Sequence, residues 1–91
     1  MQVSSSLPGA DLVQAGLDDL AQGIESIPAL VVSVGAPRLV RAGVPVANPL
    51  TSPEHRLYAL LAQEDVASAH GRYNALLRRL VSFERALECA S

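Results

Sequence analysis

The residues able to do chemistry are few and scattered. His55 and His70 are the only imidazoles, and Cys89 is the only thiol. A metal centre needs several His, Cys or carboxylate ligands at one point, on a helix at spacings of three or four residues. His70 has no His or Cys at that spacing, and Glu64 and Cys89 stand outside it. Both histidines therefore read as surface or hydrogen-bonded side chains, and no metal or cofactor is expected. Cys89 has no local histidine to lower its pKa, so a half-buried, inert thiol is expected rather than a nucleophile. A single cysteine also excludes an internal disulfide.

Two short segments invite a functional reading. Gly35-Ala36-Pro37-Arg38 places small residues before a cation, where backbone N–H groups at a helix start would welcome an anion. It lacks the spaced glycines of a phosphate loop, and a structural turn is the stronger reading. His70-Gly71-Arg72-Tyr73-Asn74 is dense in polar groups, yet Tyr73 falls on an apolar stripe. An enzyme needs convergent titratable groups in a pocket. The chain offers too few, and it is read as non-enzymatic.

Charge carries more content. All seven basic residues are arginine, a bias expected of GC-rich bacterial coding, and the net charge is −2. Arginine favours bidentate contacts to carboxylate or phosphate, whereas an acidic balance argues against non-specific nucleic-acid binding. Arg72 and Arg79 stand seven residues apart, as do Arg78 and Arg85, forming a double row along one helix. Only Arg85 has a local acid, Glu88 three residues on. Asp11, Asp18 and Glu25 repeat the seven-residue spacing, with Asp19 beside them. The rows are either solvated faces or edge charges that set register and partner choice.

The element that must carry the arginines is Asp65–Ala90. Its apolar residues fall at Val66, Ala69, Tyr73, Leu76, Leu80, Phe83, Leu87 and Ala90, alternating steps of three and four. That is the seam of a heptad, and something must pack along it. Leu80 is expected among its most buried residues. The interface predicted here consists of Tyr73, Leu76, Leu80, Phe83 and Leu87 on the seam, with Arg72, Arg78, Arg79 and Arg85 beside it.

Upstream, residues 1–10 read as a flexible leader, and residues 11–91 as one small helical domain. A first helix runs from Asp11, its cap or first-turn acid, to about Glu25, with Val13, Leu17, Leu20 and Ile24 on its apolar face. Gly16 and Gly23 should weaken it. Ser26 and Pro28 mark a restart. Ala29–Val34 follows as helix, with a short buried strand as the rival reading. Gly35 and Pro37 are expected to break it, leaving a further turn over Arg38–Ala42 closed by Gly43. Val44–Thr51 reads as an extended loop between two helical hairpins. Ser52-Pro53-Glu54 should then open a helix to about Gln63 with Ser52 as cap, burying Leu57, Leu60 and Leu61. Asp65 is expected to cap the long helix, with Gly71 as an interior weak point.

The fold class is therefore all-α, a small bundle of about four helices ending in one long amphipathic, heptad-patterned helix. With 91 residues and three aromatics, a single core has little margin, which predicts a homodimer or an obligate complex. No apolar run is long enough for a membrane span, and no signal peptide is read, so a soluble, cytoplasmic protein is expected. Function is read as a helical oligomerisation or protein-interaction module. The alternative is an antitoxin-like or transcription-accessory regulator, contacting protein or DNA through Arg38, Arg41, Arg72, Arg78 and Arg79. A helix-turn-helix over Ile27–Ala42 fits poorly, because Pro37 would open the recognition helix with two arginines behind it.

Overall fold

The fold is all-helical. A computed structural model describes residues 6–90 and contains α1 (Ala10–Ala21), α2 (Ile27–Arg41), α3 (Pro53–Glu64) and α4 (Ala69–Ala90), with no strand among the described residues. Of the leader expected over 1–10, residues 1–5 lie outside the described residues. Leu7 packs on the core and Ala10 is buried in it.

Helix α2, rather than the long α4, is the organising element. Both α2 and α4 touch each of the other three helices, but α2 does so more extensively and buries more of its residues, while α1 and α3 do not touch one another. Its residues Ala29, Leu30, Val31, Val32, Ser33, Gly35, Ala36 and Leu39 are all buried, so it is apolar nearly all round. The rival strand reading of Ala29–Val34 is thereby excluded. Ser26 caps α2, its Oγ accepting the Ala29 N–H at 3.1 Å and donating to Asp19 Oδ2 at 2.6 Å.

The break expected at Gly35 and Pro37 does not occur, and α2 runs on to Arg41. Pro37 has no N–H to give the Ser33 carbonyl, which ordinarily costs about 3 kcal/mol or more in a helix interior. Tertiary packing offsets that cost. α4 presses close on α2 at Gly35: a Cβ there would lie 2.8 Å from Glu84 Oε2 and 2.9 Å from the Leu80 methyls. Ser33 Oγ donates to Ala29 O at 2.8 Å and accepts the Leu50 N–H at 2.9 Å, tying the following loop to α2. Asn48 Nδ2 ties it to the Leu20 carbonyl at 3.1 Å.

Helix ends also depart from expectation. α1 stops at Ala21, short of Glu25, because Gly23 takes a left-handed φ of 74°. The Ile24 N–H then reaches Asp19 O at 2.8 Å and the Gly23 N–H reaches Leu20 O at 3.1 Å, a Schellman closure. Gly43 ends α2 the same way, as its sequence position implied. Ser52 precedes α3 with φ 47° and makes no side-chain cap; its carbonyl takes the Arg56 N–H at 3.1 Å instead. Asp65 does not cap α4. It terminates α3, and its Oδ1 accepts the Ala67 N–H at 3.1 Å in the connecting turn. Val66, lying in that turn rather than in α4, is 78% exposed. No helix is long and apolar enough to cross a membrane among the described residues.

Candidate partner-docking face

The heptad seam of α4 is occupied from within the chain. Leu80 and Phe83 are buried, and Tyr73, Leu76 and Leu87 pack half-buried against the same core. Their partners are α1, α2 and α3, so the seam residues expected at an interface form the inner wall of the bundle. Tyr73 also meets Tyr58 of α3, ring centroids 5.5 Å apart.

The arginine rows split. Arg79 Nη2 lies 3.0 Å from both carboxylate oxygens of Asp11 on α1. Its guanidinium donates to that carboxylate and holds the Asp11 carboxyl below its usual range. Arg72 Nη1 donates to Glu64 Oε1 of α3 at 2.8 Å. The other row, Arg78 and Arg85, is exposed to solvent. Arg78 makes no hydrogen bond or ion pair among the described residues, and Arg85 acts on Glu88 only through its field.

The acidic row is dispersed as well. Asp18 accepts from Gln14, Asp19 from Ser26, and Glu25 from Arg56. Of that row only Asp11 meets an arginine of α4.

Asn74, Leu77, Arg78, Val81, Ser82 and Arg85 line an open depression of about 440 Å³. Their spacing of three, one, three, one and three places them on one helical face. Leu77 and Val81 are half-buried at its centre, and Arg78 and Arg85 are exposed along it. The face is apolar in the middle and cationic along its length. It can take a complementary surface but has no group placed for bond chemistry.

The remaining residues of chemical interest stay apart. His55 is exposed on α3, and His70 Nε2 lies 3.2 Å from Asn74 Nδ2. Cys89 is exposed rather than half-buried, because it lies off the seam in the last turn of α4. Among the described residues no cluster of three or more His, Cys, Asp or Glu could hold a metal ion.

One polar group of the interior escaped the sequence reading. Glu84 is 3% exposed on the side of α4 that faces Gly35. Its Oε1 lies 3.4 Å from Arg38 Nη1, and its Oε2 has no hydrogen-bond partner. Arg38 is committed to Glu88, with Nε at 2.8 Å and Nη2 at 2.7 Å from the two carboxylate oxygens. Burial pushes the Glu84 carboxyl upward, Arg38 opposes this, and Glu88 adds to it. The hydrogen-bonded guanidinium holds Glu88 low, and Glu88 in turn raises Arg38. The sequence signal is faint. Glu84 stands four residues after Leu80 and three before Leu87, on the edge of the apolar stripe.

No family model matches the chain, and no curated protein or solved structure shows significant similarity to it.

Proposed function

We propose that this protein is a small, non-enzymatic, cytoplasmic interaction module that docks an acidic amphipathic helix of a partner protein on the outer face of α4. The observation supporting it is that Arg78 and Arg85 flank half-buried Leu77 and Val81 with no acid among the described residues bound to either. Arg38, Arg56, Arg72 and Arg79 are all engaged by carboxylates. Arg78 and Arg85 are two turns apart, about 10.5 Å along the axis at about 1.5 Å per residue. Carboxylates seven residues apart on a partner helix match that separation, and its apolar side meets Leu77 and Val81. A twofold contact of this face with itself would oppose arginine to arginine, so a second copy is the less favoured occupant. Phosphate is less favoured because Arg38, Arg72 and Arg79, three of the cations it would use, are already paired.

The test is fluorescence anisotropy with a synthetic helical peptide carrying two leucines on one face and glutamates seven residues apart. Binding should weaken with salt, and should drop by about tenfold or more, about 1.4 kcal/mol, in Arg78→Glu/Arg85→Glu. Equal binding of a peptide with lysine in place of glutamate, or of the double variant, would refute the reading. Preferential binding of duplex DNA would shift it to the regulator class. A salt-sensitive dimer by sedimentation would make the occupant a second copy.

A further inference from the structure

Glu84 is unlike every other acid described in the molecule, being buried with one oxygen unpartnered. It sits on the inner side of the same turns of α4 that carry Val81, Ser82 and Arg85 on the outer side. The C-terminal half of α4 is held on α2 by Leu80 and Glu84 over Gly35 and by the Arg38–Glu88 pair. A Cβ on that glycine would meet Glu84 Oε2 and the Leu80 methyls inside contact distance, so those side-chain ends would have to shift.

An ionised carboxylate in that position is poorly compensated. Its nearest cation, Arg38, reaches Oε1 through Nη1 in a long 3.4 Å hydrogen bond while Nε and Nη2 go to Glu88, and Oε2 has no hydrogen-bond partner. A buried charge without full pairing is costly, while the neutral acid in the same place costs far less. The charged groups acting on it are Arg38 from α2 and Glu88 from its own helix; Arg41 and Arg85 act on Glu88. α1 contributes Asp11 to another side of α4, against Arg79, and α3 contributes Glu64 to Arg72 near the other end.

We propose that Glu84 is a proton-operated latch: with its proton the carboxyl closes the α2–α4 contact over Gly35, and without it the last turns of α4 loosen from α2. Because those turns carry Arg85, the latch regulates the docking face, and that consequence rests on the docking reading above. The sign follows from the upward push on this carboxyl. The folded state takes the proton before the unfolded chain does, so acidification from neutral pH tightens the contact until the unfolded chain also protonates.

The experiment uses the full chain and two independent readouts. Carbon-13 shifts of the glutamate carboxyls, titrated by NMR, should show Glu84 protonating above the other glutamates. Amide exchange of residues 84–90, normalised for intrinsic rates, should slow several-fold on going from neutral to mildly acidic pH in the wild type. Glu84→Gln should remove that dependence. An ordinary titration of Glu84, or exchange that changes equally in the variant, overturns the latch. The acidic peptide should bind Glu84→Gln more tightly than wild type at neutral pH and equally once Glu84 is protonated. If the peptide binds neither form while the NMR titration and exchange behave as expected, the docking reading fails and the latch stands.

Discussion

Gly16 and Gly71 are both helical glycines, and their surroundings assign them opposite roles. A Cβ on Gly16 would lie 2.3 Å from the Pro28 carbonyl oxygen and 2.4 Å from Val32 Cγ2, where α1 crosses α2. The backbone carbonyl cannot move aside, so Gly16→Ala should destabilise by about 1–3 kcal/mol through overpacking, despite a helix-propensity gain of about 1 kcal/mol. Gly71 has nothing within 4 Å of the same position. Gly71→Ala should stabilise by about 0.4–1 kcal/mol, because the alanine narrows the unfolded ensemble without meeting a neighbour. Urea midpoints moving in opposite directions would confirm both assignments; a shared direction would contradict one of them. Glycine composition alone would have scored the two positions alike, as weak points.

At the scale of elements, the bundle is held by what meets α2. Leu80 lies over Gly35 at the α2–α4 crossing and is buried. Leu80→Ala should cost about 2–5 kcal/mol, and a denaturation midpoint matching wild type would show that the crossing is not a core contact. Ser33 serves α2 differently, joining the Ala29 carbonyl to the Leu50 N–H through one hydroxyl. Ser33→Ala keeps the size of a buried position but removes both bonds. The expected loss is about 1–3 kcal/mol from the group left unpaired, with faster amide exchange at Leu50 as the local sign. Loss of stability without that change would place the effect in α2 alone.

For the whole molecule, acid titration sets two opposing trends. Asp11 and Glu88 are held low by Arg79 and Arg38. Their contribution is present above the unfolded carboxylate pKa values and is lost as pH falls through the lower, folded ones. Glu84 runs the other way: its charge costs stability above its raised folded pKa, and that cost is relieved as pH falls through it. Thermal midpoints should therefore rise or hold on mild acidification before falling, and Glu84→Gln should show only the fall. A wild-type profile that falls monotonically and parallels the variant would remove Glu84 from the balance.

The sequence by itself determined the helical class, the number of helices and most of their apolar faces. These depend on local spacing: steps of three and four in α1 and α4, and Ser26 and Gly43 at the ends of α2. Local chemistry fails where distant packing outweighs it. Pro37 reads as a break, but α2 continues through it because its burial offsets one missing hydrogen bond. Gly16 and Gly35 read as weak points or breaks and are crossing points, a distinction set by which helix lies over them. The arginine rows were legible as rows, whereas their partners were not. Asp11 and Arg79 are 68 residues apart, Arg38 and Glu88 are 50 apart, and no local rule pairs them. The buried carboxyl of Glu84 was the least legible feature. It follows from two helices meeting at a residue without a side chain, and only the tertiary structure brings Gly35 and Glu84 to the same place.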